Sequence, residues 1–165
     1  MKDLEEKLED QIIDIKKQGD DLQMRKQYIK AIEKYEDAIK LIPEPIEQWT
    51  YIRVLWLSIA ENYWLNAKFK KGEGGGYYEA LEVYRMLMKL PRSVGKSDYH
   101  AKIGQIRYEL GDIQKAKDEL IRSFLLSGMQ DFDNMDSTKY FDLIKPIVEG
   151  KEKDNYSADS DSYAL

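Results

Sequence analysis

The chain has 165 residues, with 26 basic and 31 acidic side chains, a formal net charge of −5 and no cysteine. This length suffices for one domain with its own core. The lack of cysteine excludes disulfides and thiolate metal sites and is compatible with a reducing cytoplasm, while the negative balance opposes phosphate backbones unless a local basic patch overrides it. The opening MKDLEEKLED carries acids where a secretory signal needs an apolar stretch, and no run of about 18 apolar residues occurs. A cytoplasmic protein with neither nucleic-acid nor membrane partners is expected.

Apolar residues recur at three- and four-residue spacing along nearly the whole chain, which predicts an all-α protein. A first helix is expected over about 3 to 24, with Leu4, Leu8, Ile12, Ile15 and Leu22 on one stripe. A second, about 27 to 41, ends at IPEP, where Pro43 and Pro45 cannot extend it. The third, about 46 to 68, is stopped by the glycines of FKKGEGGGYYEALEVY. The fourth covers about 77 to 90, before Pro91; the fifth, about 97 to 110, is closed by Gly111; the sixth, about 113 to 127, stops at Gly128; a last runs from about 137 to 149. From 150 to 165 the polar tail KEKDNYSADSDSYAL is expected to be disordered, leaving one helical domain over 1 to 149. Short connections make successive helices antiparallel hairpins.

The glycines 72, 74, 75 and 76 could wrap a phosphate or break two helices. A phosphate loop needs its lysine after the glycines and a strand before them; here Lys70 and Lys71 come first and a helix precedes. The stretch reads as a flexible or lengthened connection. The two lysine-rich clusters, Lys68 with Lys70 and Lys71, and MRK at 24 to 26, read as solvated helix ends.

The even-numbered helices share a spacing of small, large, then small or medium: Ala31, Tyr35, Ala38; Ala80, Tyr84, Leu87; Ala116, Leu120, Ser123. The odd-numbered helices answer with Trp56, Ile59, Ala60 and Tyr63, with Ile103, Gly104 and Tyr108, and with the degenerate Ile15, Gln18, Gly19 and Leu22. Small groups on one face let a neighbouring helix approach closely, and the large group between them fills the space. This resembles the tetratricopeptide repeat, a helix-turn-helix unit of about 34 residues. The resemblance covers about residues 12 to 127 and implies a right-handed α-solenoid of about three repeats plus a C-terminal capping helix. Spacing departs from the family, with 49 residues from Ala31 to Ala80 and 36 from Ala80 to Ala116. The strings LIPEPIEQWT, WLSIAENYWL, LPRSVGKSDYHAKIGQIRYELG, DELIRSFLLSG and DSTKYFDLIK are further similar, in order and spacing, to small bacterial tetratricopeptide proteins. Some of that group are encoded beside polymorphic or contact-dependent toxins, which implies an immunity-like role.

On that resemblance, a partner-binding groove is lined by Lys16, Asp20 and Gln23 of the first helix, by Arg53, Leu57, Glu61 and Trp64 of the third, and by Ala101, Gln105, Tyr108 and Glu109 of the fifth. Aromatic and arginine side chains are the types that anchor protein interfaces. Trp64 and Tyr108 could equally finish the packing between adjacent helices. No catalytic, cofactor or metal site is expected. His100, the sole histidine, falls at a packing position, and Asp131, Asp133 and Asp136, spaced like part of a calcium loop, lack its central glycine and closing glutamate. Asp136 or Ser137 reads as a helix cap. The expected function is non-catalytic binding of a protein, a toxin or a secreted client, by a monomer or weak homodimer. A secretion or assembly chaperone holding an extended peptide, and an enzyme with an unrecognised carboxylate site, are the alternatives.

Overall fold

The computed structural model describes residues 4–71, 73–133 and 138–150. Among them are seven α-helices and no strand: α1 Glu6–Met24, α2 Tyr28–Ile39, α3 Thr50–Lys70, α4 Tyr77–Lys89, α5 Ser97–Glu109, α6 Ile113–Ser127 and α7 Thr138–Val148. The boundaries expected from periodicity hold within a few residues, except at the start of α3. There Ile46–Gln48 form a separate 3-10 turn and Trp49 is extended, at φ −95° and ψ 141°. Its indole N–H donates to the Pro43 carbonyl at 2.6 Å, so the IPEP segment is clasped by the residue that opens the next helix. The expected tail, and the caps expected at Asp136 and Ser137, lie outside the described residues.

The helices group into two units, one ending at Pro91 and one beginning at Arg92. In the N-terminal unit α1 packs on α2, α2 on α3 and α3 on α4; in the C-terminal unit α5 packs on α6, and α7 on α6. Each hairpin uses the small-large-small spacing, and Ala31, Tyr35, Ala38, Ala80, Tyr84, Leu87, Ala116, Leu120 and Ser123 are all buried. The close approach it permits is tightest at two glycines. A methyl group on Gly19 would stand 2.5 Å from Tyr35 Cε1, and one on Gly104 would stand 2.7 Å from Leu120 Cγ and 3.2 Å from the Ala116 carbonyl oxygen. Neither helix pair could hold its spacing with a side chain there.

The α3–α4 connection is lengthened, and its described part is built. Asn66 Nδ2, buried near the end of α3, donates to the carbonyls of Glu73 at 2.8 Å and Gly75 at 2.7 Å. Gly74 and Gly75 have φ of +81° and +128°, and a side chain on Gly75 would strike the Tyr63 ring at 2.5 Å. Glu79 then accepts the Gly76 N–H at 2.6 Å and starts α4.

Candidate functional site: the α1/α3 face and the α5/α7 clasp

In the N-terminal unit α1 and α3 are tied side by side at two levels. Tyr51 donates its hydroxyl to Glu9 Oε1 at 2.6 Å, and Asn62 Nδ2 donates to Gln23 Oε1 at 3.0 Å. Both partners advance along their helices in the same sense, so the two helices run parallel, with α2 joining them. Between the ties lies a polar network centred on Tyr35. Its ring covers Gly19, which carries the hydroxyl to the α1 surface, where it donates to Asp20 Oδ1 at 2.9 Å with Gln23 Oε1 an alternative acceptor at 3.3 Å. Lys16 Nζ grips both Asp20 oxygens, at 2.9 and 2.8 Å. Asn62 Nδ2 also donates to the Ser58 carbonyl at 2.8 Å, while its Oδ1 is buried without a hydrogen-bond partner.

Burial, and next the hydrogen bond to the Asp20 carboxylate, push the Tyr35 phenol well above its ordinary value, so it stays a neutral donor at physiological pH. The network therefore fixes side chains and offers no general base at Tyr35. It holds Lys16, Asp20 and Gln23 of the expected groove in set positions. Of the expected α3 residues, Glu61 is exposed and Leu57 half-buried, whereas Arg53 donates to the Pro91 carbonyl. Trp64 is only 6% exposed, with its ring edge-on to Tyr77 at 5.3 Å between centroids, which leaves a partner almost none of its surface.

In the C-terminal unit the expected residues divide in a different way. Ala101 and Gln105 are buried. Tyr108 meets Tyr140 of α7 edge-to-face at 5.3 Å and 90°. Glu109 accepts from the Tyr140 hydroxyl at 2.8 Å and from the Lys139 ammonium, which also stands 5.4 Å from the Tyr108 ring centroid. The chain's own α7 thus occupies the aromatic and the carboxylate expected to meet a partner.

His100 is part of a buried clasp. Its Nδ1 lies 2.6 Å from Glu119 Oε2 and its Nε2 2.9 Å from the Val94 carbonyl. The carbonyl only accepts, so Nε2 carries a proton. Desolvation would lower the imidazole pKa, but the Glu119 carboxylate and the Val94 carbonyl outweigh it and the net direction is upward. With both ring nitrogens engaged inside the unit, His100 holds α6 to α5 and to the segment before it. Asp131 accepts from Ser123 at 2.9 Å and Ser127 at 2.7 Å and so secures the end of α6. Among the described residues no group of three His, Cys, Asp or Glu side chains could hold a metal ion.

Sequence periodicity missed Tyr51, Asn62, Lys139 and Tyr140 as members of these assemblies. The repeat register gives no signal for them: Gln23 and Tyr108 stand four residues after the small residues Gly19 and Gly104, and the residue four after Ala60 is Trp64, not Asn62.

No family model matches the chain, and no curated protein sequence is similar to it. Among solved structures it is similar to the crystal structure of the Sgt2 TPR domain from Aspergillus fumigatus, with a TM-score of 0.58 over 91% of this chain and 93% of that one, at 18% sequence identity. The fold is therefore the all-α fold of a tetratricopeptide domain.

Proposed function

We propose that the chain is a non-catalytic protein-binding module that presents the α1/α3 face of its N-terminal unit to a protein partner. The observation that carries this reading is the Lys16–Asp20–Tyr35–Gln23–Asn62 network, which orders a charged surface before any partner arrives, so that little side-chain entropy remains to be lost on association. The tetratricopeptide fold supports it by analogy. The sole histidine, spent on the Glu119 clasp, adds support for a binding role over a catalytic one. In its most specific form, which rests on the resemblance to toxin-associated tetratricopeptide proteins, the partner is a toxin neutralised by occlusion.

The test co-expresses the chain with the product of the adjacent reading frame and measures affinity by calorimetry, for the native chain and for Glu61→Arg with Leu57→Ala. These are the least tied α3 positions on the face. A loss of about tenfold or more with unchanged helical circular dichroism is expected, as for substitution of interface anchors. Undiminished affinity would remove the α1/α3 face from the interface, and no complex with the neighbour would remove the immunity reading.

A further inference from the structure

The two basic clusters of the sequence sit at two of the helix connections of the N-terminal unit, at the end of α1 and at the end of α3. Because α1, α2 and α3 pack in succession with alternating direction, the α1–α2 and α3–α4 turns lie at the same end of that unit. Gly74 of the second turn abuts Ile29, one residue into α2, where a Cβ would stand 3.2 Å from Ile29 Cγ1. Arg25, Lys26, Lys68, Lys70 and Lys71 are all exposed and share this end with the acids Asp21, Glu73 and Glu79, and with Asp20, which is paired with Lys16. In a chain of net charge −5 this end carries a small excess of cations, since Asp20 is already paired with Lys16.

Three large apolar side chains stand in water among those cations: Met24 is 75% exposed, Phe69 57% and Tyr78 69%. Lys68 Nζ lies 5.3 Å from the Phe69 ring centroid. Lysines in the last turn of α3 complement the helix dipole, which accounts for Lys68 and Lys70 but not for the apolar neighbours. Both turns also place a lysine in the left-handed backbone region, Lys26 at φ 57° and Lys71 at φ 58°, where glycine is relaxed and a side chain is not. A positive charge is thus kept at each turn against the backbone's preference.

We propose that this end of the N-terminal unit docks peripherally on an anionic lipid bilayer, with Met24, Phe69 and Tyr78 entering the headgroup region and the five cations meeting lipid phosphates. Lipid is favoured over an acidic peptide or a nucleic acid because the apolar groups project from two separate turns instead of lining a cleft. A soft surface admits each of them singly, and exposed aromatic groups flanked by lysine are the composition that partitions to the water–lipid boundary. The expectation of no membrane partner rested on the lack of a spanning segment, and indeed no helix among the described residues is long and apolar enough to cross a membrane. Peripheral docking needs no such helix. It goes beyond the protein-binding reading and uses a different surface, so either can fail alone.

The test sediments the full chain with phosphatidylcholine vesicles containing about one third phosphatidylserine, in parallel with pure phosphatidylcholine. Binding to the anionic vesicles only, weakening as salt rises from about 0.05 to about 0.5 M, is expected. Each cation near the surface contributes roughly fivefold, so Lys68→Glu with Lys70→Glu and Lys71→Glu should lower binding by about 100-fold or more. The exchange of Lys7→Glu, Lys40→Glu and Lys89→Glu, exposed positions at the opposite end of the same unit, should leave it nearly unchanged. At constant charge, Met24→Ser with Phe69→Ser and Tyr78→Ser should cost about tenfold. If that triple variant loses helicity, Phe69→Ser alone, expected to cost a few-fold, replaces it. Absence of binding to anionic vesicles overturns the proposal, and so does indifference to loss of the apolar groups. Binding to heparin or polyglutamate without binding to vesicles would replace lipid by an anionic polymer.

Discussion

In the N-terminal unit the ring of Tyr35 lies over Gly19; in the C-terminal unit the side chain of Leu120 lies over Gly104. The two residues hold the same place in the repeat, each four residues after the alanine that opens the small-large-small spacing, and both are fully buried. Leucine ends there and needs nothing more. Tyrosine carries a hydroxyl into a region where an unpaired polar group is costly, so the surrounding positions must supply acceptors, and Asp20 and Gln23 do so. Asn62, held through Gln23, then ties α3 into the same set. The tyrosine at this packing position thus draws a polar network to the α1/α3 face, which the leucine at the matching place does not do on α5. The C-terminal unit places its buried polar chemistry elsewhere, in the His100–Glu119 clasp.

Breaking that clasp should give the largest effect. His100→Ala takes from the buried Glu119 carboxylate its imidazole partner and is expected to cost about 3–5 kcal/mol in urea unfolding near pH 6. Because the folded imidazole has a raised pKa, the clasp's contribution is complete below the unfolded value of about 6.5 and is lost as pH rises through the folded value. The stability difference between the native chain and His100→Gln should therefore shrink from mildly acidic to alkaline pH. A difference that grows instead would sink the assignment.

Next come the glycines shared by both units. Gly104→Ala adds helix propensity of about 1 kcal/mol but forces a methyl group into Leu120 and the Ala116 carbonyl, an overpacking cost of about 1–3 kcal/mol. A net loss in thermal stability is expected. Gly19→Ala should lose as much and also displace the Tyr35 hydroxyl. Two neutral substitutions would mean that close approach does not set the repeat spacing.

Tyr35→Phe is the finest probe, since it keeps the ring over Gly19 and removes only the hydroxyl. It should cost about 1 kcal/mol, and a stability equal to the native chain's would show that the network orders the face without holding the fold.

The repeat register was legible because it depends only on side-chain size at positions three and four apart, which periodicity reports directly. The close helix pairs at Gly19 with Tyr35 and Gly104 with Leu120 follow from it. The occupation of the expected groove was not legible. Stripe arithmetic places Trp64 and Gln105 on a helix face but does not say how far neighbours cover them, and both are buried. Tyr108 and Glu109 lie on their expected stripe, yet their partners Lys139 and Tyr140 come from some 30 residues further along, beyond the reach of any local pattern. The glycine-rich connection reads as slack in sequence. Its described part is pinned by Asn66, a residue within a helix whose amide gives no advance sign that it will reach two loop carbonyls.

The chain holds one imidazole, and it sits at the junction that joins α5 to α6. Its ring protons should give a single pair of resonances in a proton NMR spectrum, so that one chemical shift, followed through a titration or on adding a partner, reads out the integrity of the C-terminal unit without any label.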